Sequence, residues 1–345
     1  MGPWDPQRVH HFIFFLLILF SGFGCRAETQ EGNPQVAPPQ IPMPLEKISD
    51  FFQSFQQKGF ARTSIEFPAY SFYLGAPALN GVAYVPDFSP RLGLQVGWED
   101  YSVSTSFALP LPENEVYRRG STDQLSFIFS KHWRQWGLDM YYQRYKGFYL
   151  SSPFTELDVN KPTRYPQLPD AQTSNYGISV YYTMDPDHYS LAAAFSQSEF
   201  QTATGGSWLL HPFYNHVELT TGTIFVKGSD ANSQQSMPDL RSATLDTFGM
   251  GLGYGHTWIK DRRFISAEGA IGPGLQFQQI EYSGYDRSSG TNLAAQINVN
   301  VAAGWNQDVY TWGARALAHS LLSNVKGEQI DSTLIQGQIF FGGRF

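Results

Sequence analysis

The sequence predicts an all-β fold. It reads as a transmembrane, antiparallel up-and-down β-barrel of about fourteen strands, with twelve as the alternative count, preceded by a short N-terminal periplasmic helix. Three observations predict it. The last run alternates to the end of the chain, with Phe345, Gly343, Phe341, Ile339 and Gly337 on one side and Arg344, Gly342, Phe340, Gln338 and Gln336 on the other. The composition is rich in aromatic residues (16%) and poor in charged ones (15%), with 27 Phe, 19 Tyr and 32 Gly. Beyond the first thirty residues there is no apolar run of the ~20 residues that a membrane helix needs. A barrel strand shows lipid only its alternate residues, so mean hydropathy stays slightly negative, here −0.29.

The elements follow in order. Residues 1–27 read as a signal peptide. Arg8 precedes the apolar run Phe12 to Phe20, which is too short to span and suits an export signal, and small residues lead to a cut after Ala27. Cys25 sits at this boundary. A lipidated cysteine would need an aliphatic residue three places before it and a small one two before, where Gly22 and Phe23 stand. With one cysteine the chain forms no internal disulfide. Residues 28–61 read as a linker and a helix. Pro34, Pro38, Pro39, Pro42 and Pro44 give an extended stretch. Leu45, Ile48, Phe51, Phe52 and Phe55 then recur at helical spacing, predicting an amphipathic helix over 45–57 that caps the barrel mouth or leads into the first strand.

The barrel itself is read over 62–345. Leu92, Leu94, Val96 and Trp98 alternate with Arg91, Gly93, Gln95 and Gly97, and after the turn Glu99-Asp100 the run Tyr101 to Leu109 alternates with Ser102, Ser104, Ser106 and Ala108. The same two-faced pattern returns at 124–130, 176–183, 248–255 and 296–305. A soluble sandwich also alternates, but its outer face carries Lys and Glu. Here the polar face is Ser, Gly, Asn and Gln, as a lumen requires. Short turns alternate with longer polar connections at 110–121, 151–173, 227–243 and 282–290, the long ones expected outside the cell. The stretch 188–226 fits fourteen strands if it turns near Gly205-Gly206 and Asn215. One long strand over 206–226 gives twelve, at the expense of a turn that changes sides.

Several segments resemble an uncharacterised bacterial family known only as a domain of unknown function. They are Trp136 to Tyr149, Tyr176-Gly177 through Tyr181-Tyr182, Ser196 to Glu199, Gly206 to Leu210, and Gly253 to Thr257 with Arg263 to Ser266. The resemblance covers roughly 62–345. It implies an outer-membrane location and no particular activity.

The final run also resembles the last strand of outer-membrane barrels, which makes Phe345, Phe341 and Ile339 the expected signal to the barrel-assembly machinery. Outer-membrane lipids are the other expected partner. The net charge of −7 leaves no basic stripe for nucleic acid. No cofactor is expected, since Gly249 to Gly255 alternates as a strand and not as a phosphate cradle, and the eight histidines lack metal-ligand spacing. His188-Tyr189-Ser190 has the spacing of a wall-mounted hydrolytic pair, but at a periplasmic turn. His319 and Ser320 are adjacent and point to opposite faces. The expectation is therefore no enzyme, with a lipid hydrolase as the minor alternative. Arg91, Asp139, Glu268, Arg315, His319 and Arg344 fall on polar faces and are the lumen-lining candidates. They either line a solute path or fill a closed barrel with ion pairs. Passive passage of small solutes is the first reading of function, and a non-transporting barrel for surface interaction or envelope structure is the second.

Overall fold

The computed structural model describes residues 46–47, 51–55, 58–75, 82–151, 163–225, 240–285, 287–325 and 328–345. The expected signal peptide, Cys25 and the proline-rich stretch up to Pro44 lie outside them. The strands are β1 (Glu46–Lys47), β2 (Phe52–Ser54), β3 (Gly59–Gly75), β4 (Val82–Val85), β5 (Arg91–Trp98), β6 (Tyr101–Ala108), β7 (Asp123–His132), β8 (Trp136–Leu150), β9 (Gln167–Thr183), β10 (Glu199–Gln201), β11 (Gly205–Phe225), β12 (Leu240–Lys260), β13 (Arg263–Tyr282), β14 (Ser288–Asn306), β15 (Tyr310–Val325) and β16 (Glu328–Arg344). A helix, α1 (Glu113–Arg119), and a π-helical turn (Ala192–Ser196) interrupt them.

Twelve strands close a ring: β3, β5 to β9, and β11 to β16 pair antiparallel in succession, and β16 returns to β3 from Gln329↔Gly75 to Arg344↔Phe60. Closure satisfies the strand ladder without a free edge, which lipid demands. Gly59 and Phe345 meet at one end, exchanging hydrogen bonds of 3.1 and 2.9 Å. We call this the terminal end and the opposite one distal.

The two crossings expected within 188–226 are a single strand. β11 pairs with β12 without a break from Gly205↔Thr257 to Thr220↔Ser242. Its ladder to β9 skips His211 and Pro212, so the missing proline N–H falls where no partner is needed. No turn changes sides either, because 184–204 folds into the terminal mouth. The helix expected over 45–57 is also corrected. β1 and β2 pair antiparallel, and β10 adds to β2. Phe52, in the central strand of this sheet, and Phe55, just beyond it, are buried, and that tertiary partner overrides the helical spacing. The long connection expected over 151–173 is shorter than that, since β9 begins at Gln167. Residues 152–162 lie outside the described set. Pro169 is tolerated in β9 because it stands opposite a register shift around Gly147, a β-bulge whose φ of +94° suits glycine.

The alternation changes sign along the strands. On β11 the outward residues run Trp208, Leu210, Pro212 and Tyr214, then His216, Glu218 and Thr220, while the inward ones end in Val217 and Leu219. On β12 the outward Trp258, Tyr254, Leu252, Met250 and Phe248 give way to Asp246 and Thr244, and inward Leu245 and Ala243 are buried. The terminal part is thus apolar outside, as lipid requires, and the distal part is apolar inside, as water requires. Trp258 to Phe248 spans ten residues. At roughly 3.3 Å each and a tilt near 40°, that is about 25 Å of height, the expected thickness of a barrel's apolar band. All seven tryptophans among the described residues, from Trp98 to Trp312, stand at the terminal ends of strands or in a terminal turn, where an interfacial aromatic belt belongs.

The wall also changes width. β5, β6 and β7 have only 8, 8 and 10 residues. Beyond them β4 bridges β3 and β8 through Leu74↔Val82 and Tyr84↔Leu150. The distal ring therefore has ten strands, roughly one-sixth narrower than the terminal ring of twelve, since diameter follows strand number.

Candidate functional site

The interior consists of three layers, each dictated by the residues that the strands turn inward. The distal layer is an apolar core. Tyr70 stacks on Tyr145 at 4.6 Å, Phe72 stacks on Tyr84 at 4.9 Å, and Phe225 stands edge-on to both Phe72 and Tyr84 at 5.4 Å. Phe148, Leu219, Leu240, Ile280 and Ile330 complete it, and all of these side chains are buried. Beneath it runs a polar seam. Tyr70 accepts hydrogen bonds from Asn175 and Ser332 at 3.2 Å, Tyr141 bonds Asn215, and Asn215 bonds Gln296.

The terminal layer is a stopper formed by 188–201. Tyr189, Leu191, Ala194 and Phe195 pack with Leu209 in a buried cluster. Gly255 on the inward face of β12 clears room for Tyr189, since a Cβ there would stand 2.5 Å from its ring. Two wall arginines grip the turn that follows. Arg62 donates to Gln197 Oε1 (2.7 Å) and to the Ser196 carbonyl (3.0 Å), and Arg344 donates to the Gln197 carbonyl (2.8 Å). Gln197 is held at a φ of +49°, a conformation that non-glycine residues rarely keep without such restraint. The β1–β2–β10 sheet covers the stopper from below. Phe55 lies under the Arg344 guanidinium at 3.7 Å, Phe52 under Arg134 at 4.9 Å, and Glu199 faces Arg134 at 3.6 Å while accepting from Ser190 at 3.0 Å.

Between these layers lies a chamber of about 200 Å³. Its charged lining is Arg62, Arg315, Glu66, Asp139 and Glu268, joined by His132 and His319, with serine, asparagine and glutamine elsewhere. Asp139 pairs with His132 at 3.1 Å. Arg315 donates Nε–H to Asn300 at 2.8 Å and packs on the Phe195 ring at 5.3 Å. His319 meets Tyr141 edge-on at 6.2 Å, and its Nε2 has no hydrogen-bond partner among the described residues. Glu268 is buried and makes no hydrogen bond or ion pair among the described residues.

Of the six lumen candidates, Asp139, Glu268, Arg315 and His319 thus meet around one chamber. The other two do different work. Arg91 is buried apart from it, bonded to Gln124 and lying over Tyr145 at 5.3 Å, under the distal core. Arg344 holds the stopper. The sequence reading missed Arg62, Glu66, His132 and Gln197. Parity along β3 marks Arg62 and Glu66 as inward, but nothing local marks the stopper that Arg62 binds 135 positions away. Phe340, which breaks the polar parity of the last run, is buried against Phe264 and Ala302. Ile339, Phe341 and Phe345 are exposed on the outer wall.

The two His/Ser pairs separate. His188 bonds Asp185 at 2.8 Å on the exposed side, whereas Ser190 is buried and donates to Glu199. His319 faces the chamber, and Ser320 bonds Thr333 at 2.9 Å on the opposite face. No group of three or more potential metal-binding side chains is found among the described residues.

A family model described as a domain of unknown function (DUF4421) matches residues 49–345. No curated protein sequence matches the chain. Among solved structures the chain is similar to the outer-membrane protease OmpT of Escherichia coli, at 8% identity and a TM-score of 0.37 over 85% of this chain and 98% of that one. It is similar to the Pseudomonas putida toluene transporter TodX at 8% identity and a TM-score of 0.28, over 84% and 90%. The translocator domain of the Neisseria meningitidis autotransporter NalP gives 8% identity and a TM-score of 0.29, over 99% and 98%.

Proposed function

This chain belongs to the DUF4421 family, and we propose that it is a non-conducting barrel of the bacterial outer membrane, with a blind lumen and a rigid distal turret raised above the lipid. The observation that carries this reading is the distal core. Tyr70, Phe72, Tyr84, Tyr145, Phe148 and Phe225 fill the narrowed ring with packed rings, where an open pore needs water. Passage of small polar solutes would require that whole layer to unpack. Export by a signal peptide, a distal end outside the cell, and assembly through Phe345, Phe341 and Ile339 belong to the same proposal. The turret's outward polar wall, with Glu218, Thr220, Thr244 and Asp246, suits contact with the aqueous surroundings.

Osmotic swelling of liposomes tests it. Vesicles carrying the mature, heat-modifiable barrel should swell in arabinose or glycine no faster than empty vesicles. Size-dependent swelling would restore the solute-channel reading.

A further inference from the structure

The chamber's chemistry is odd for a barrel that only needs to be filled. Apolar side chains pack the distal ring, and nothing prevents them from packing the middle. Instead the middle keeps a buried carboxylate, Glu268, without a hydrogen bond or ion pair among the described residues. A buried charge without a partner is costly, and well-packed apolar groups of the same volume are usually at least as stable. Arg315 stands close by. Glu268 on β13 is opposite Asn300 on β14, and Arg315 on β15 bonds that same Asn300 at 2.8 Å. Its remaining guanidinium N–H groups make no hydrogen bond to a described residue. Carboxylate and guanidinium thus flank one asparagine, each with free capacity toward the same 200 Å³ space. That space holds about seven waters by volume.

We infer that the chamber is a binding site for a small zwitterion of free amino-acid size, its amine taken by Glu268 and its carboxylate by Arg315. Asn300 spaces the two charges, and the serine and asparagine lining accepts a polar side chain. Entry is from the terminal end, because the distal core is apolar and closed across the whole ring, while the stopper is one short segment held by a small apolar cluster around Leu209 and by bonds from Arg62 and Arg344. The inference goes beyond the non-conducting reading, which liposome swelling judges by itself.

The test is equilibrium dialysis of radiolabelled L-glutamine against the refolded full mature chain and Arg344→Ala, which removes one of the stopper's ties to the wall and lies outside the chamber lining. The desamino and carboxamide analogues of glutamine serve as competitors. Arg344→Ala should bind one glutamine per barrel, and each analogue should compete at least tenfold more weakly. Adding Glu268→Gln should weaken glutamine at least tenfold and abolish discrimination against the desamino analogue. Absence of saturable binding by a heat-modifiable Arg344→Ala barrel would leave the chamber to water alone and overturn the inference. So would equal competition by all three compounds, or an unchanged affinity in Glu268→Gln.

Discussion

Replacing Phe72 with alanine measures the distal core directly. Phe72 is 1% exposed, stacked on Tyr84, and edge-on to Phe148 at 5.1 Å and Phe225 at 5.4 Å. Three rings hold its cavity open, so collapse around an alanine is limited. Removing a phenyl leaves on the order of 80–100 Å³, which at ~24 cal/mol per Å³ adds about 2 kcal/mol to a transfer term of similar size. The total expected is about 4 kcal/mol, within the ~3–5 kcal/mol usual for such a change. Phe67, five residues earlier on the same strand, faces outward and is 52% exposed. Phe67→Ala gives up contact with lipid and so loses the transfer term, about 2 kcal/mol, but it opens no cavity and should cost about half as much as Phe72→Ala. Urea unfolding in vesicles, followed by tryptophan fluorescence, compares the two. Equal and small losses would refute the packed core and with it the closed distal end.

Three further predictions follow from the layers. Ile339→Arg, in the lipid-facing band, should cost ~2–4 kcal/mol or block assembly, whereas Thr220→Arg, on the outward face of the turret, should cost close to zero in the same unfolding assay. Burial in the stopper raises the Glu199 carboxyl above its usual range, against the pull of Arg134. The folded state therefore binds the extra proton. Docking of the stopper should be firmest below the ordinary carboxylate value and loosen as pH rises through the raised one. Limited proteolysis at 184–204 should accelerate from pH 4 to pH 8, and Glu199→Gln should flatten that profile. Deleting Phe345, which is 67% exposed beside Gly59, should lower the heat-modifiable fraction in outer membranes more than Phe340→Leu does.

The lipid-facing strands were legible in the sequence because lipid imposes a simple rule on alternate residues. Trp98, Val96, Leu94 and Leu92 satisfy it without reference to anything distant. The reversal at the membrane edge was not legible. The period of two continues unbroken from Tyr214 to Thr220, and period alone does not say which face looks inward. Only the ring closure shows that Val217 and Leu219 look into a core while Glu218 looks out. The stopper escaped for a different reason. Residues 191–201 have no strand period, and their conformation depends on Arg62 and Arg344, more than 130 positions away in sequence. The pairing of β1 with β2 shows the same dependence, since the helical spacing over 45–57 is overruled by the β10 partner. The charged candidates were found by parity, and parity separates inside from outside but not one interior layer from another. That is why Arg91 and Arg344 were grouped with Asp139, Glu268, Arg315 and His319, although they lie above and below the chamber.

The central claim is that the distal core closes the barrel, whatever happens at the terminal mouth. Replacing 190–202 by a short Gly-Ser linker removes the stopper and leaves that core intact. In planar bilayers the heat-modifiable variant should remain as silent as the full mature chain, with no resolved single-channel steps. Stable ion-conducting openings after this replacement would mean that the stopper was the barrel's only seal, and would contradict the account.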